Sequence, residues 1–335
     1  MRTVELKTPG SPSIKCSSVL GLGCASMLGR AGRRESLAAL NAAYDAGITF
    51  FDTARSYGYG ACEGLLGEFL QGFRRDTVVI CTKFGIVPGD ANGWKNRIKP
   101  LARAVLSVAP RLRAVVRKQA ASQFNPGQFS VETLKSSFET SLRELGTEYV
   151  DILLMHSPPL SALHQDDLLE AMGRLVEQGK VHIAGASVEG EVISPMLSAP
   201  PSPLTVAQFA LNPFSVGLTA QTAPAASSLL LIANHPFGGA EGIVQCRMEI
   251  DRMRQDPTLP QSLREKFDSR DETLLPDLVL NCILNGTGIS VVIPSMLQPK
   301  HLKTNVQAVD RCRFSPPELD VIRSRFARLN VATSR

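Results

Sequence analysis

Four ionisable side chains follow apolar runs of the sequence, each where a predicted strand ends. Asp52 closes a short apolar run, and Tyr57 follows it in a loop rich in glycine and serine. Lys83 closes a β-branched run, and His156 closes a third run that two prolines then terminate. The carboxyl ends of parallel strands are where α/β proteins carry their chemistry. A carboxylate, a phenol, an ammonium and an imidazole gathered there predict acid–base chemistry on a substrate oxygen.

These four groups have complementary roles. A free phenol has a pKa of about 10, too high for ready proton exchange near neutrality. An ammonium group at Lys83 is expected to lower the pKa of Tyr57, and Asp52 to hold Lys83 charged and oriented. His156 can donate a hydrogen bond to the substrate oxygen and stabilise charge that develops there. The alternatives are that Asp52 only caps a loop, that Tyr57 only packs, and that Tyr59 is the proton donor.

The elements that must position these groups alternate along the chain. The alternation predicts one parallel (β/α)8 barrel domain over residues 1–335, with an N-terminal β-hairpin at 2–6 and 14–17 and an extra C-terminal helix at 316–329. The barrel strands are predicted at residues 19–22, 48–52, 78–83, 150–156, 182–187, 205–210, 229–233 and 289–293. The helices are predicted at residues 34–46, 62–70, 131–145, 166–178, 190–197, 219–228, 274–284 and 299–309.

Two long segments interrupt this alternation, after the third and the seventh barrel strands. Residues 91–130 contain no acidic residue, and eight lysines and arginines fall between positions 95 and 118. We interpret this basic segment as a surface excursion. The alternatives are a roof over the site that attracts anionic substrates, and a membrane-surface or nucleic-acid patch. Residues 237–271 are charged and turn-rich, and they are a candidate lid loop.

Composition argues against several classes of protein. Of 335 residues, 44% are apolar and 20% are charged, which is ordinary for a soluble globular protein. We expect no membrane span, since no run of about 18 apolar residues occurs, and residues 1–7 lack the apolar core of a signal peptide. Seven cysteines without a Cys-x-x-Cys pair favour a reducing cytoplasm over a disulfide framework or a metal site. A net charge of +5 does not predict nucleic-acid binding.

Several short motifs surround the four side chains, spread from about residue 19 to 310. They are Gly21-Leu22-Gly23-Cys24, Asp45 to Ala54, Tyr57-Gly58, Glu63-Gly64-Leu65-Leu66-Gly67, Thr82-Lys83-Phe84-Gly85, Leu142 to Gly146, Tyr149 to Ile152, His156-Ser157-Pro158 and Gly179-Lys180-Val181. With these motifs in this order, the sequence resembles the aldo-keto reductase superfamily, and within it the bacterial aldose or galactose dehydrogenase-like branch. The resemblance implies a barrel plugged at its bottom by the hairpin. It also favours Tyr57 over Tyr59 as general acid/base.

The resemblance also implies a nicotinamide cofactor, because no protein side chain donates a hydride. NADP is expected and NAD is possible. Ser187 and Gln208 occupy positions that hold the nicotinamide carboxamide in the family, but Val188 replaces its usual Asn. Asn234 replaces the usual stacking aromatic, so His235 or Phe237 would have to stack. The implied cofactor-binding residues are Gly23, Met27, Ser187, Gln208, His235, Pro236, Phe237, Ser295, Leu297, His301 and Asn305.

The last predicted strand leads into a candidate phosphate site. A helix that begins at Pro299, directly after that strand, presents backbone N–H groups, and Ser295 precedes it. The family's NADP-selecting arginine falls at His301. Lys300 and Lys303 can neutralise a 2′-phosphate, or they are surface lysines at a helix start.

The expected function is that of an NADP-dependent aldo-keto reductase of the EC 1.1.1 type. It would interconvert a carbonyl (an aldehyde, an aldose or a small ketone) and the alcohol or lactone by hydride transfer. The expected partner is a small-molecule carbonyl or sugar substrate in the cytoplasm, with no nucleic acid and no stable membrane insertion. No oligomeric state is predicted. The alternative is a nucleotide-binding regulatory or sensing protein of the same fold with little turnover, which Val188 and Asn234 favour.

Overall fold

Eight short apolar strands pair in parallel around a barrel axis. The computed structural model describes residues 1–7, 15–72, 74–88, 124–125, 127–216, 229–268 and 271–333. The barrel strands, in spatial order, are β3 Gly21–Gly23, β4 Phe50–Asp52, β5 Val79–Phe84, β8 Val150–His156, β9 Val181–Ser187, β10 Leu204–Ala210, β11 Leu230–Asn234 and β12 Ile289–Ile293. A parallel bridge between Leu20 and Val292 closes the ring. This is the predicted (β/α)8 architecture.

The N-terminal hairpin packs against one end of the barrel interior. Strands β1 (Thr3–Leu6) and β2 (Lys15–Ser18) pair antiparallel. Leu6 is fully buried within the apolar cluster that fills the barrel, together with side chains such as Phe50 and Ile152. An apolar side chain placed there closes the barrel end against water, so the hairpin has the plugging position that the family resemblance implied.

Helices cover the outside of the barrel. They are α1 Arg33–Asp45, α2 Cys62–Leu70, α3 Val131–Leu145, α4 Asp166–Glu177, α5 Ile193–Ser198, α6 Gly239–Gln255, α7 Gln261–Phe267, α8 Leu274–Leu284, α9 Pro299–Asp310 and α10 Pro316–Thr333. Local signals set the ends of α3, because the Ser130 hydroxyl accepts from Thr133 N and Gly146 adopts φ +64° at the C-cap. Helices α2 and α3 pack closely at Gly67, where a Cβ would lie 2.2 Å from Glu144 O.

Of the two segments that interrupt the alternation, the structure describes most of 237–271 but not the basic stretch of 91–130. The basic stretch at 95–118 lies outside the described residues, as does the helix predicted at 219–228. Strands β6 (Val87–Pro88) and β7 (Phe124–Asn125) pair on either side of the basic stretch.

The segment at 237–271, expected to be turn-rich, contains α6 and α7. Cys246, Ile250 and Met253 are buried at helical spacing, and their charged neighbours masked this pattern in the sequence. Its role as a lid stays a prediction. Among the helices of the described ranges, none has the length and apolar character needed to span a membrane.

Candidate active site

The Lys83 ammonium lies at the centre of the predicted catalytic cluster. Its Nζ donates to both Asp52 oxygens at 2.7 Å and to the Thr53 carbonyl at 2.9 Å. The Tyr57 hydroxyl lies 3.3 Å from the same nitrogen. Lys83 and Asp52 are almost entirely buried, with 1% and 2% of their surface exposed. A buried ion pair of this kind holds both charges in one fixed geometry.

Adjacent strands bring these groups together. Asp52 ends β4 in register with Cys81 of β5, and Lys83 follows two residues later on β5. His156 ends the next strand, β8, which pairs with β5. Parallel strands leave their carboxyl ends at one rim of the barrel, so side chains distant in sequence meet there.

Tyr57 begins a tight turn, Tyr57–Gly60, at this rim. Gly58 and Tyr59 both have φ near +58°, a backbone conformation that strains a non-glycine residue such as Tyr59. The turn leaves Tyr57 half-buried against Lys83, while Tyr59 is 39% exposed. The phenol inside the cluster is therefore that of Tyr57.

The Tyr57 pKa differs from the sequence expectation. Burial raises it to about 12, although the nearby Lys83 ammonium acts to lower it. Asp52 offsets part of the lysine's effect because its carboxylate is also close to the phenol. Burial also lowers the pKa of Lys83, but Asp52 and Tyr57 together raise it above its usual value. The lysine therefore stays charged and the phenol stays protonated at neutral pH.

His156 faces Tyr57 across the cleft. Their rings meet edge to face, with centroids 5.7 Å apart. Burial, and then repulsion by Lys83, lowers the His156 pKa to about 3, so the imidazole is neutral at physiological pH. Its Nδ1 is buried without a hydrogen-bond partner in the described part of the chain. A neutral imidazole with a free ring nitrogen can orient a polar ligand in the cleft.

Sequence reasoning missed a second set of contacts to Asp52. The Gln208 amide Nε2 donates to Asp52 Oδ1 at 2.8 Å, and the Ser187 hydroxyl donates to Gln208 Oε1 at 2.9 Å. Gln208 is 1% exposed. The two residues predicted to hold a nicotinamide carboxamide are thus hydrogen-bonded to the Asp52 carboxylate, Gln208 directly and Ser187 through Gln208. No sequence signal links Gln208 with Asp52, since they are on β10 and β4.

A buried ion pair supports the Tyr57 turn from behind. Glu63 is fully buried, and its carboxylate accepts from Arg55 Nη1 at 2.5 Å and from Thr82 Oγ1 at 2.6 Å. The pair joins both ends of the turn to β5, the strand that carries Lys83. The motif that begins at Glu63 was the available sequence signal, but it did not identify the partners.

Comparison with known proteins identifies the family. The model of the Aldo/keto reductase family matches residues 19–325. The chain belongs to this family.

Several curated proteins are similar to this aldo/keto reductase. Aldo-keto reductase YhdN of Bacillus subtilis is 29% identical over 177 residues, which cover 51% of this chain and 43% of YhdN. The uncharacterized oxidoreductase YqkF of the same organism is 24% identical over 328 residues, 92% of each chain. The chain spans less than half the length of the first curated relatives that it matches, for example 45% of a probable aldo-keto reductase of Glycine max.

Solved aldo-keto reductases share the fold. The holo form of AKR11C1 from Bacillus halodurans superposes with a TM-score of 0.68 at 19% identity, and the match covers 96% of each chain. An aldo-keto reductase from Klebsiella pneumoniae in complex with NADPH gives a TM-score of 0.64 at 23% identity, covering 98% of this chain and 96% of that one. At these identities the likeness establishes the barrel fold.

The predicted nicotinamide end of this aldo/keto reductase contains one buried polar atom without a partner in the described part of the chain. Asn234 Oδ1, at the end of β11, is buried without a partner in the described residues. Val188 is buried and presents no amide side chain. His235, at φ +49°, is exposed, Pro236 is buried and Phe237 is half-buried. Met27 is fully buried beside β3, at whose end Gly23 N donates to Pro294 O.

The predicted phosphate end lies at the start of α9. Ser295 and His301 are exposed and Leu297 is half-buried. Asn305, however, is buried, with 3% of its surface exposed. Lys300 Nζ pairs with Glu272 at 2.6 Å on the surface, which offsets one of the two positive charges assigned to a 2′-phosphate. The backbone N–H groups of the first turn remain the main anion donors.

The described residues contain no group of three or more His, Cys, Asp or Glu side chains arranged to hold a metal ion.

Proposed function

We propose that this aldo/keto reductase interconverts a carbonyl and an alcohol or lactone by NADP(H)-dependent hydride transfer, with Tyr57 as general acid/base. The observation that carries the proposal is the position of Lys83 Nζ, 2.7 Å from both Asp52 oxygens and 3.3 Å from the Tyr57 hydroxyl. A protonated phenol next to a fixed ammonium can give its proton to a substrate oxygen and be stabilised as phenolate.

Each residue then has one task. Tyr57 Oη donates its proton to the carbonyl oxygen in reduction and takes it back in oxidation. Lys83 stabilises the phenolate, and Asp52 keeps Lys83 charged and oriented. His156 donates a hydrogen bond to the same oxygen, because a neutral imidazole carries one N–H. The nicotinamide, when bound, supplies or accepts the hydride.

The residues at the rim fit a nicotinamide nucleotide. The buried Asn234 Oδ1, which has no partner among the described residues, is a free acceptor for a carboxamide, and the Ser187 and Gln208 side chains add polar groups on the neighbouring strands β9 and β10. The first turn of α9 fits a phosphate. The NADPH complex of the Klebsiella relative supports this choice of cofactor. NAD is the alternative, because His301 stands in place of the NADP-selecting arginine.

We further propose a small carbonyl substrate, an aldehyde, aldose or small ketone, in the cytoplasm. The names of the matched relatives, which include aldo-keto reductases and aryl-alcohol dehydrogenases, support a small carbonyl or alcohol. The absence of disulfides among the seven cysteines supports a reducing compartment.

The test is turnover of NADPH with a panel of aldehydes, ketones and aldoses, for the wild type and for Tyr57→Phe. We expect Tyr57→Phe to lower kcat by at least about a hundredfold while the Kd for NADPH stays within about twofold, because the phenol supplies a proton and no cofactor contact. Full activity in Tyr57→Phe would contradict the assignment. Tight NADPH binding by the wild type without turnover of any substrate would instead support a nucleotide sensor, which the missing amide at Val188 favours.

A further inference from the structure

The ion pair between Arg55 and Glu63 closes the loop that carries Tyr57. Arg55 stands two residues before Tyr57, and Glu63 lies in the first turn of α2. Arg55 Nη1 donates to Glu63 Oε2 at 2.5 Å; 13% of the Arg55 side chain is exposed and none of the Glu63 side chain. A charged hydrogen bond in this buried position fixes the separation between the two ends of the loop.

The same carboxylate also binds the loop to the strand that carries Lys83. The Thr82 hydroxyl donates to Glu63 Oε1 at 2.6 Å, so each oxygen of the buried carboxylate has a partner. Thr82 directly precedes Lys83 on β5, and successive side chains of a strand point to opposite faces. Lys83 therefore reaches the catalytic cluster from one face of β5, while Glu63 is bound at the other face.

The loop needs this constraint because its backbone is strained. Gly58, Tyr59 and Gly60 follow one another at φ +58°, +58° and +88°, all in the left-handed region. Glycine adopts this conformation readily, but for Tyr59 it is unfavourable and persists only where the surrounding structure enforces it. An ion pair between the two flanks of the turn supplies such enforcement.

Tyr57 is sensitive to small movements of this loop. Its hydroxyl lies 3.3 Å from Lys83 Nζ, near the outer limit of a hydrogen bond. Lys83 Nζ is bound to both Asp52 oxygens at 2.7 Å, so it does not follow a shift of the phenol without leaving that carboxylate. Misplacement of a reacting group by about 1 Å can lower a rate by about a hundredfold.

We propose that Arg55 and Glu63, together with Thr82, are positioning residues that keep the Tyr57 hydroxyl beside Lys83 for proton transfer. The inference rests on the proposed reductase function, in which Tyr57 gives its proton to the carbonyl oxygen. The three residues act on the reaction through the place of the phenol. Their loss therefore lowers the rate of the chemical step and leaves the binding of NADPH unchanged.

The kinetic test compares Arg55→Met with Arg55→Lys, with NADPH and benzaldehyde as the probes. Both new side chains are long and unbranched, but only lysine keeps a charge that can pair with Glu63. We expect Arg55→Met to lower kcat on the order of tenfold, with the Kd for NADPH within about twofold, and Arg55→Lys to lose less. The matched control Arg33→Met removes an exposed ion pair with Glu68 of the same helix and should behave like the wild type. Equal losses in the two Arg55 variants would refute a role for the ion pair.

A double variant separates positioning from folding. Arg55→Met alone leaves the Glu63 carboxylate buried without its charged partner, which by itself can destabilise the protein. Arg55→Met combined with Glu63→Gln leaves no charge at this place. Because the two residues act as one unit, the double variant should lose about as much kcat as Arg55→Met, rather than the product of the two single losses. Wild-type kcat in the folded double variant would overturn the proposal.

The place of the phenol can also be followed without turnover. Burial raises the pKa of Tyr57 to about 12 in the wild type. Its ¹³Cζ NMR resonance, assigned by its absence in Tyr57→Phe, should therefore begin to titrate at higher pH than in the double variant, where a phenol in contact with water has a pKa nearer about 10. The groups that face the phenol, namely Lys83, Asp52, Cys81 and the His156 ring, are the same in both proteins. An identical titration in both would contradict the positioning role, whether or not the protein proves to be a reductase.

Discussion

The amide of Gln208 donates a hydrogen bond of 2.8 Å to the carboxylate of Asp52, 156 residues earlier in the chain. Together with Ser187, this contact extends the chain of hydrogen bonds from Tyr57 through Lys83 and Asp52 to the residues predicted to hold the nicotinamide. The residue that the family resemblance assigns to the carboxamide therefore contacts the carboxylate that holds Lys83.

Replacing Gln208 by Leu should lower kcat about tenfold at saturating NADPH. The buried Asp52 carboxylate then loses one hydrogen-bond donor. Leaving a buried acceptor unpaired costs free energy, and the carboxylate is no longer held in one orientation. The Ser187→Ala variant, which removes only the outer link, should lose less. Measurement of kcat together with the Kd for NADPH separates the roles, because weaker NADPH binding with unchanged kcat would show that Gln208 contacts only the cofactor.

Removal of the lysine should cost stability as well as activity. Lys83→Met leaves the Asp52 carboxylate buried and unpaired, and such a change costs roughly 3–5 kcal/mol in the free energy of unfolding. The double variant Asp52→Asn with Lys83→Met should recover much of that free energy in urea denaturation and remain inactive. Equal stability of Lys83→Met and the wild type would contradict the buried ion pair.

Acid should destabilise the protein partly through His156. The folded-state pKa of His156 is lowered to about 3, whereas an unfolded histidine titrates near pH 6.5. The stability that the folded state gains by keeping His156 neutral is therefore complete above about pH 6.5, and it is lost as the pH falls toward 3. Between pH 7 and 5 the free energy of unfolding should fall by roughly 2 kcal/mol more in the wild type than in His156→Gln. The same decrease in both proteins would rule out His156 as its source.

In carbonyl reduction, kcat/KM should begin to fall only at high pH. The Tyr57 pKa is raised to about 12, so the proton-donating phenol persists well above neutrality. The stability that comes from burying this neutral phenol is complete below about pH 10 and is lost as the pH rises through 12. We expect kcat/KM for carbonyl reduction to vary less than about threefold from pH 6 to pH 10 on account of this group. A decrease of kcat/KM centred near pH 8 that only Tyr57→Phe abolishes would contradict a buried, protonated phenol.

Many of the helices and strands follow from the pattern of neighbouring residues in the sequence. The predicted helices at 131–145 and 274–284 have the observed ends. For the first helix, the caps Ser130 and Gly146 act within one turn of its ends. The strand at 289–293 was predicted in the same way from its β-branched residues. The helices within 237–271 were missed because charged residues between Cys246 and Met253 obscured the apolar spacing.

The sequence alone determined which groups end the barrel strands, and hence that Asp52, Lys83 and His156 share one rim, since strand direction and alternation are encoded locally. Only the tertiary structure decided which side chains touch, such as Gln208 on Asp52 and Arg55 on Glu63. It also decided that burial outweighs Lys83 in setting the Tyr57 pKa. Hydrogen bonds and desolvation depend on distances of a few ångströms between strands that lie far apart in sequence, and closure of the barrel fixes those distances.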